Sequence, residues 1–456
     1  MSRLSNVERL GTEKIGKLLL EMSSQTTLSL LVYAIYSITD TYFLSVGINS
    51  LAAAGASITA PVLIALGGVT TTVGSGGASV VSRALGEGNP EKASRTVANT
   101  FLIFWAAAIL ITVFGVLFIR PIVYLLGATD SVAPYAIEYG RIIFLGAITS
   151  TGYSAIVRAD GNIRFSTAMW IIPVTTNIAL CWLFIIVLKT GVSGAGWATV
   201  LGQSISAGMS IYFFFFRKNR SYQIKAAYFK PDWPIIGEVI LIGFPSLIKS
   251  LSASLVVIVT NNLLKVMGGD SALGVFAIVN RLYSSLNTPQ TGMVQGMQPI
   301  AGYNFGQKKF DRVRKTITYS LGSSAVYGLF VFSLCMLIPA ALIGFLSKEP
   351  AIITEGQPAL RLMAFACPLG GISVMIAAYF QSAGRAREAL LITLGGVIFV
   401  KLPVLLIASG LFSLTGIWIS EAVSEFILCT LSLFMLRRHQ AKVAFMEQIA
   451  YHPTTA

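Results

Sequence analysis

Apolar runs long enough to cross a hydrocarbon core of about 30 Å recur along the whole of this 456-residue chain. Read against the turn residues and charges that interrupt them, twelve spans emerge, at 17–44, 51–81, 96–119, 132–157, 165–188, 195–216, 235–265, 273–303, 317–346, 358–382, 389–409 and 415–436. Lipid offers backbone N–H and C=O groups no partners, so only helices and closed barrels can span it. Barrel strands would alternate in segments of about 10 residues, and no such alternation occurs. The chain therefore reads as an all-α integral membrane protein. Composition agrees, with 11% charged residues against about 25% in soluble proteins. Several runs exceed a simple crossing, and Pro61, Pro173, Pro245, Pro289 and Pro403 mark places where they can bend.

Positive charge sets the expected orientation. Most of the 33 Lys and Arg residues fall in the N-terminal segment, in alternate loops and after the last span. The positive-inside rule then places both termini in the cytoplasm, with the protein multi-pass in the cytoplasmic (inner) membrane. This bias accounts for the net charge of +14, so no nucleic-acid partner is inferred; the lipid bilayer is the partner. The first sixteen residues are polar and the run after them is too long for a signal-peptide core, so no cleavable signal is expected. Cys181, Cys335, Cys367 and Cys429 lie in apolar runs without metal-ligand spacing and read as small hydrophobes.

The chain also repeats itself. SITDTYFLSVGINSLA corresponds to IVTNNLLKVMGGDSAL, pairing Asp40 with Asn261, and VSRALGEGNPEKASRTVANT corresponds to AGYNFGQKKFDRVRKTITYS, pairing Gly86 with Gly306. RADGNIRF pairs with QSAGRARE, and VSGAGWAT with SLTGIWIS. Six spans fall in each half, an even number, so the halves share orientation about a pseudo-twofold axis along the membrane normal. The expected organisation is an N-lobe (1–216), a basic linker (217–234), a C-lobe (235–436) and a tail (437–456).

The segments YAIYSITDTYFLSVGINSLAAAG, SRALGEGNPEKASR, VRADGNIRFSTAMWIIPVTTNIAL, GVSGAGWATVLGQ and QPIAGYNFGQKKFDRVRK resemble the multidrug and toxic compound extrusion (MATE) transporters. The likeness extends over about residues 14–436, and its details look most like the DinF branch. It implies twelve helices in two six-helix lobes and export of bulky, mostly cationic amphiphiles in exchange for H⁺ or Na⁺.

Asp40 is the only carboxylate between Glu21 and Glu87. A charge at the centre of a span costs about 2.5–3.5 kcal/mol on insertion scales and persists mainly where it has work to do. On a helix Tyr33, Tyr36 and Asp40 share one face, with Ser29 a turn earlier and Ser37 beside them. Such a stripe suits a cavity wall; alternatively Asp40 sits at the end of its span and reaches water. The resemblance makes this carboxylate the cation or proton site. An ordinary aspartate releases its proton near about pH 3.9, so a proton carrier here needs surroundings that hold the proton near neutrality. Asn177, Thr175 and Thr176 follow Pro173, and Cys181 stands where many relatives carry a second acid. That departure argues against a Na⁺ site, and the lack of proline between residues 17 and 44 argues against bending of the first span there. Gln203 with Ser204, and Tyr139 with Thr149 and Ser150, either line the same cavity or bond between helices. The glycines between Gly67 and Gly77 are expected to allow close helix packing.

In the second half Lys249, Arg281, Lys401, Glu421 and Glu425 lie within spans. Mutual pairing is the expected arrangement. Asn261, Arg281 and Glu425 are the second-lobe candidates, with Glu425 the strongest for coupling. The expected function is a monomeric, proton-coupled exporter of cationic amphiphilic drugs or dyes, with no cofactor or metal. Na⁺ coupling is the alternative, and a lipid-linked precursor flippase of similar architecture is a further one, kept open by the basic residues. An enzyme is disfavoured because the two histidines, His439 and His452, lie in the tail and no paired aspartates occur.

Overall fold

The computed structural model describes residues 6–451, apart from 127, 151, 218, 219 and 221. The described residues contain no β-strand. The helices are α1 (Asn6–Thr12), α2 (Ile15–Gly47), α3 (Ser50–Ile58), α4 (Ala60–Gly86), α5 (Pro90–Leu117), α6 (Ile119–Leu125), α7 (Ala133–Leu145), α8 (Tyr153–Ala159), α9 (Ile163–Cys181) and α10 (Val192–Ile211). They continue with α11 (Trp233–Gly306), α12 (Phe310–Leu337), α13 (Pro339–Leu346), α14 (Pro350–Ala364), α15 (Cys367–Ser382), α16 (Ala386–Leu390) and α17 (Leu402–Tyr451). π-Helical turns extend α9 (Trp182–Val187) and α10 (Tyr212–Phe216) and link α16 to α17 (Leu391–Gly395, Val397–Lys401).

Each predicted span falls largely on helix, but 51–81, 132–157, 317–346 and 358–382 are each interrupted by a short non-helical break, near Thr59, Ser150, Ile338 and Phe365. Among the described residues eight helices are long and apolar enough to cross a membrane, or nine when α14 and α15, bent by 47°, count as one. Two of them hold two predicted spans each. Span seven meets span eight inside α11 at Gly269 (φ 62°), and span eleven meets span twelve inside α17 at Ser413 (φ 52°). These sharp breaks do not fall at the prolines expected to supply the bends. Gly269 and Ser413 instead adopt a positive φ, which ends the i→i−4 ladder outright, whereas Pro173 stays inside α9.

The chain forms two compact units, one of Met1–Thr12 and Leu28–Leu247, the other of Glu13–Thr27 and Ile248–Ala456. The internal repeat is written in their backbones. α4 ends at left-handed Gly88 (φ 72°), and α11 ends at left-handed Lys308 (φ 58°). The amides of Asn89 and Lys309 return to the carbonyls of Ala84 and Asn304, each at 2.9 Å. α8 and α15 close in the same way at Gly161 and Gly384 (φ 74° and 75°), through Asn162 to Val157 (3.3 Å) and Arg385 to Phe380 (2.8 Å). All four are Schellman-type caps. Three use glycine, and Lys308 bears the left-handed strain of an L-residue.

Within the first unit, the expected close packing of the 67–77 glycines is observed at Gly68, Gly74, Gly76 and Gly77, whereas Gly67 faces open space. A Cβ on Gly76 would lie 2.0 Å from the Val239 carbonyl oxygen, and one on Gly243 would lie 2.0 Å from that of Thr72. α4 and the first turns of α11 thus meet backbone to backbone. The second unit has its own core around Leu264, Val279, Ile343, Leu360 and Ala364, closed by Trp418.

Candidate functional site

The first-unit site is assembled by α2, α7, α9 and α10, and its alignment begins with a proline. Pro173 lacks an N–H, so the Met169 carbonyl one turn back has no partner within α9. Ser206 of α10 donates to it at 3.2 Å. Four residues before Ser206, Gly202 lets α10 come close: a Cβ there would lie 3.1 Å from the Pro173 oxygen and 3.2 Å from Asn177 Cβ. Asn177 and Thr199 are thereby brought together in the protein interior, 3% and 2% exposed.

A polar chain runs from this contact to Asp40. Asn177 Nδ2 points to Thr199 Oγ1 at 3.5 Å, and the Tyr36 hydroxyl lies 3.4 Å from the same oxygen. Cys181 Sγ stands 3.7 Å from both Asn177 Oδ1 and Asp40 Oδ1. Tyr139, 2% exposed, faces Thr199, Tyr36 and Asp40 from α7. Beneath them Leu44, Ala52, Ile143, Ile185, Ala195 and Ala198 pack as an apolar floor. Asp40 itself is half-buried, and no cation faces its carboxylate among the described residues.

The aromatic stripe continues towards the open side. The Tyr33 ring lies 5.7 Å from Tyr36 and meets Trp170 edge-on at 5.5 Å. Trp170 is fixed by its indole N–H, which donates to Ser154 Oγ at 3.1 Å. Tyr33 is 49% exposed, more than half-buried Tyr36 and Asp40, while Ser29 one turn earlier is packed at 5%. The Ser37 side chain lies outside the described residues.

Of the sequence candidates, Asp40, Tyr36, Asn177 and Tyr139 are joined through Thr199 and Cys181, and Tyr33 adjoins Tyr36. Thr176 and Gln203 are half-buried on the same two helices but do not enter this chain of contacts. Ser204, Thr149 and Thr175 donate to carbonyls of their own turns, bonds within one helix rather than between helices. One reading needs correction, and one residue was missed. Cys181 is more than a small hydrophobe, because its thiol donates to Asp40 Oδ1 at 3.7 Å. Thr199 carried no signal at all: a threonine after Trp197 is ordinary until α10 is docked on α9.

In the second unit Lys401 Nζ lies 2.9 Å from Glu421 Oε1 and 2.8 Å from Glu425 Oε1. Lys249 also feels the charges of Glu425 and Lys401. The five-charge arrangement expected from sequence is therefore incomplete. Arg281 is exposed and makes none of the ion pairs of this cluster among the described residues. Asn261 is likewise exposed.

A family model, MatE, matches residues 26–183 and 245–407. The chain belongs to the MatE family. The match covers both halves and includes Asp40, Asn177 and Lys401. The protein is similar to the multidrug export protein MepA of Staphylococcus saprophyticus, 27% identical over 417 residues, covering 89% of this chain and 90% of that one. MepA of Staphylococcus haemolyticus is 26% identical over 430 residues, covering 92% and 93%. Among solved structures, MATE in the bent conformation superimposes with a TM-score of 0.91 at 21% identity, over 97% of this chain and 99% of that one. An outward-facing multidrug resistance MATE transporter of the MOP superfamily gives 0.90 at 22%, over 97% and 100%. The fold is thus that of the MATE transporters, an all-α membrane protein in two lobes, and the chain is no enzyme.

Proposed function

We propose that this MatE protein is a secondary active multidrug exporter that exchanges cationic amphiphilic compounds for protons across the cytoplasmic membrane. Asp40 carries the proton and the substrate charge in turn. The supporting observation is a half-buried carboxylate without a counter-cation among the described residues, flanked by aromatic rings that open outward at Tyr33. A cationic aromatic compound supplies the missing charge and stacks on Tyr33 and Tyr36, where cation–π contact adds about 0.5–2 kcal/mol. The ionised carboxylate holds such a cation and the protonated one does not. One proton entering is assisted by about 2.3 kcal/mol per 100 mV.

Proton coupling fits the donor set better than sodium. The group beside Asp40 is a thiol, with Asn177 and Thr199 bonded to each other, and hard cations take oxygen ligands. The export names of the staphylococcal relatives support the substrate class. The reading has the protein act as a monomer with both termini cytoplasmic, as the positive-charge bias indicates.

The test is dye efflux from proteoliposomes driven separately by a pH gradient and by a Na⁺ gradient. Export is expected with the first alone. Asp40→Asn should abolish it while the protein stays monodisperse. Export driven only by Na⁺ would overturn the ion assignment, and full activity of Asp40→Asn would overturn the site.

A further inference from the structure

The second unit holds a charge cluster that the Asp40 exchange does not use. Glu421 and Glu425 lie one turn apart on α17, a spacing at which like charges repel. Each nonetheless turns a carboxylate oxygen to one point, 2.9 and 2.8 Å from the ammonium of Lys401. Glu425 is further held through its other oxygen, 3.0 Å from Ser373 Oγ. α15 passes close beside it, so that even a Cβ on Gly370 would touch the Glu425 carboxyl at 3.4 Å. Lys401 reaches this point from the last residue of the π-helical turn Val397–Lys401, a wider turn that is frequent at functional sites.

Apolar residues could replace such a network at little cost, because buried ion pairs are often no more stable than well-packed hydrophobic ones. Charges within spans carry an insertion penalty that needs a compensating role. The arrangement itself suggests one. Two convergent carboxylates around a single positive charge are the oxygen set that holds a free monovalent cation, and here that charge is attached to the chain.

We propose that Lys401 is a tethered cation occupying a built-in monovalent-cation site made by Glu421 and Glu425. The ammonium takes the place of a small free cation, so the two carboxylates are held together without an ion from solution. Removing the side chain past Cβ opens the site to Na⁺ or to a small alkylammonium. The readout is binding rather than transport, so it is independent of the Asp40 reading.

The experiment uses the purified full-length chain at pH 8 in choline chloride. ²²Na⁺ binding and thermal stability are followed for wild type, Lys401→Ala, and Lys401→Ala/Glu425→Gln. Propylammonium, which restores the atoms that Lys401→Ala removes, is the second probe, with 1-propanol as its neutral control. Expected are no saturable ²²Na⁺ binding to wild type at these carboxylates and at least tenfold more to Lys401→Ala. Propylammonium but not propanol should stabilise that variant, and Glu425→Gln should cancel both effects. Saturable wild-type binding that Glu425→Gln removes would overturn the proposal. So would a Lys401→Ala protein that binds neither cation. If Lys401→Ala is recovered only when Na⁺ or propylammonium is present during purification, that dependence supports the proposal. Equal recovery failure with and without the cations refutes it.

Discussion

Replacing Lys401 with methionine keeps the length of the side chain and removes only its charge. The substitution breaks the 2.9 and 2.8 Å ion pairs to Glu421 and Glu425. At such distances each pair is worth about 6 kcal/mol for an effective dielectric of about 20, most of it offset by desolvation. What remains is two carboxylates facing one another, one of them only 8% exposed in its side chain. Breaking a buried pair in this way costs about 3–5 kcal/mol. Lys401 and Glu421 retain 21% and 23% side-chain exposure, which places the cost near about 3 kcal/mol. For a cooperative unit of roughly 200 residues, that lowers the midpoint by about 6–12 °C. The four buried cysteines, Cys181, Cys335, Cys367 and Cys429, permit a direct assay, because a thiol-reactive fluorogenic dye labels them only on unfolding. Measured in choline buffer, Lys401→Met should unfold in this lower range. The neutral triple variant Lys401→Met/Glu421→Gln/Glu425→Gln should return to within about 1 kcal/mol of wild type, since polar groups of similar shape replace the uncompensated charges. A drop below 2 °C for the single variant, or a triple variant as labile as the single one, would refute the reasoning.

Gly76→Ala should destabilise the first unit by at least about 1–3 kcal/mol, because its Cβ would meet the Val239 carbonyl at 2.0 Å; the same thiol assay reads it. Lys308→Gly should raise stability by about 1 kcal/mol, since exposed Lys308 holds a left-handed φ of 58°. Thr199→Val removes the shared partner of Tyr36 and Asn177 and should lower proton-driven dye efflux several-fold with less than about 1.5 kcal/mol of destabilisation. Asp160, buried in the turn between α8 and α9, is pushed up to about 7 by desolvation, against a bond from Asn162 and the charges of Arg217 and Arg220. Its raised folded-state value means that its stabilising contribution is complete below about pH 3.9 and is lost as pH rises towards 7. Asp160→Asn should flatten that decline, which is up to about 1.4 kcal/mol per pH unit; an unchanged slope between pH 4 and 7 would count against it.

The apolar runs, the repeat and Asp40 were legible in the sequence because each is a property of residues near one another in the chain. Helical periodicity alone put Tyr33, Tyr36 and Asp40 on one face, and insertion cost alone singled out a solitary carboxylate. The pairing of Glu421 with Glu425 across one turn was visible for the same reason. Which side chains complete each site depended on how helices dock. Thr199 meets Asn177 only because Gly202 and the Pro173–Ser206 contact bring α9 and α10 within backbone reach. Lys401 joins the glutamates while Arg281 lies exposed, an outcome that spacing along the chain does not determine. The breaks at Gly269 and Ser413 belong to the same class. A positive φ at a serine is uphill locally, so it is set by the packing of the segments on either side and not by the residue itself.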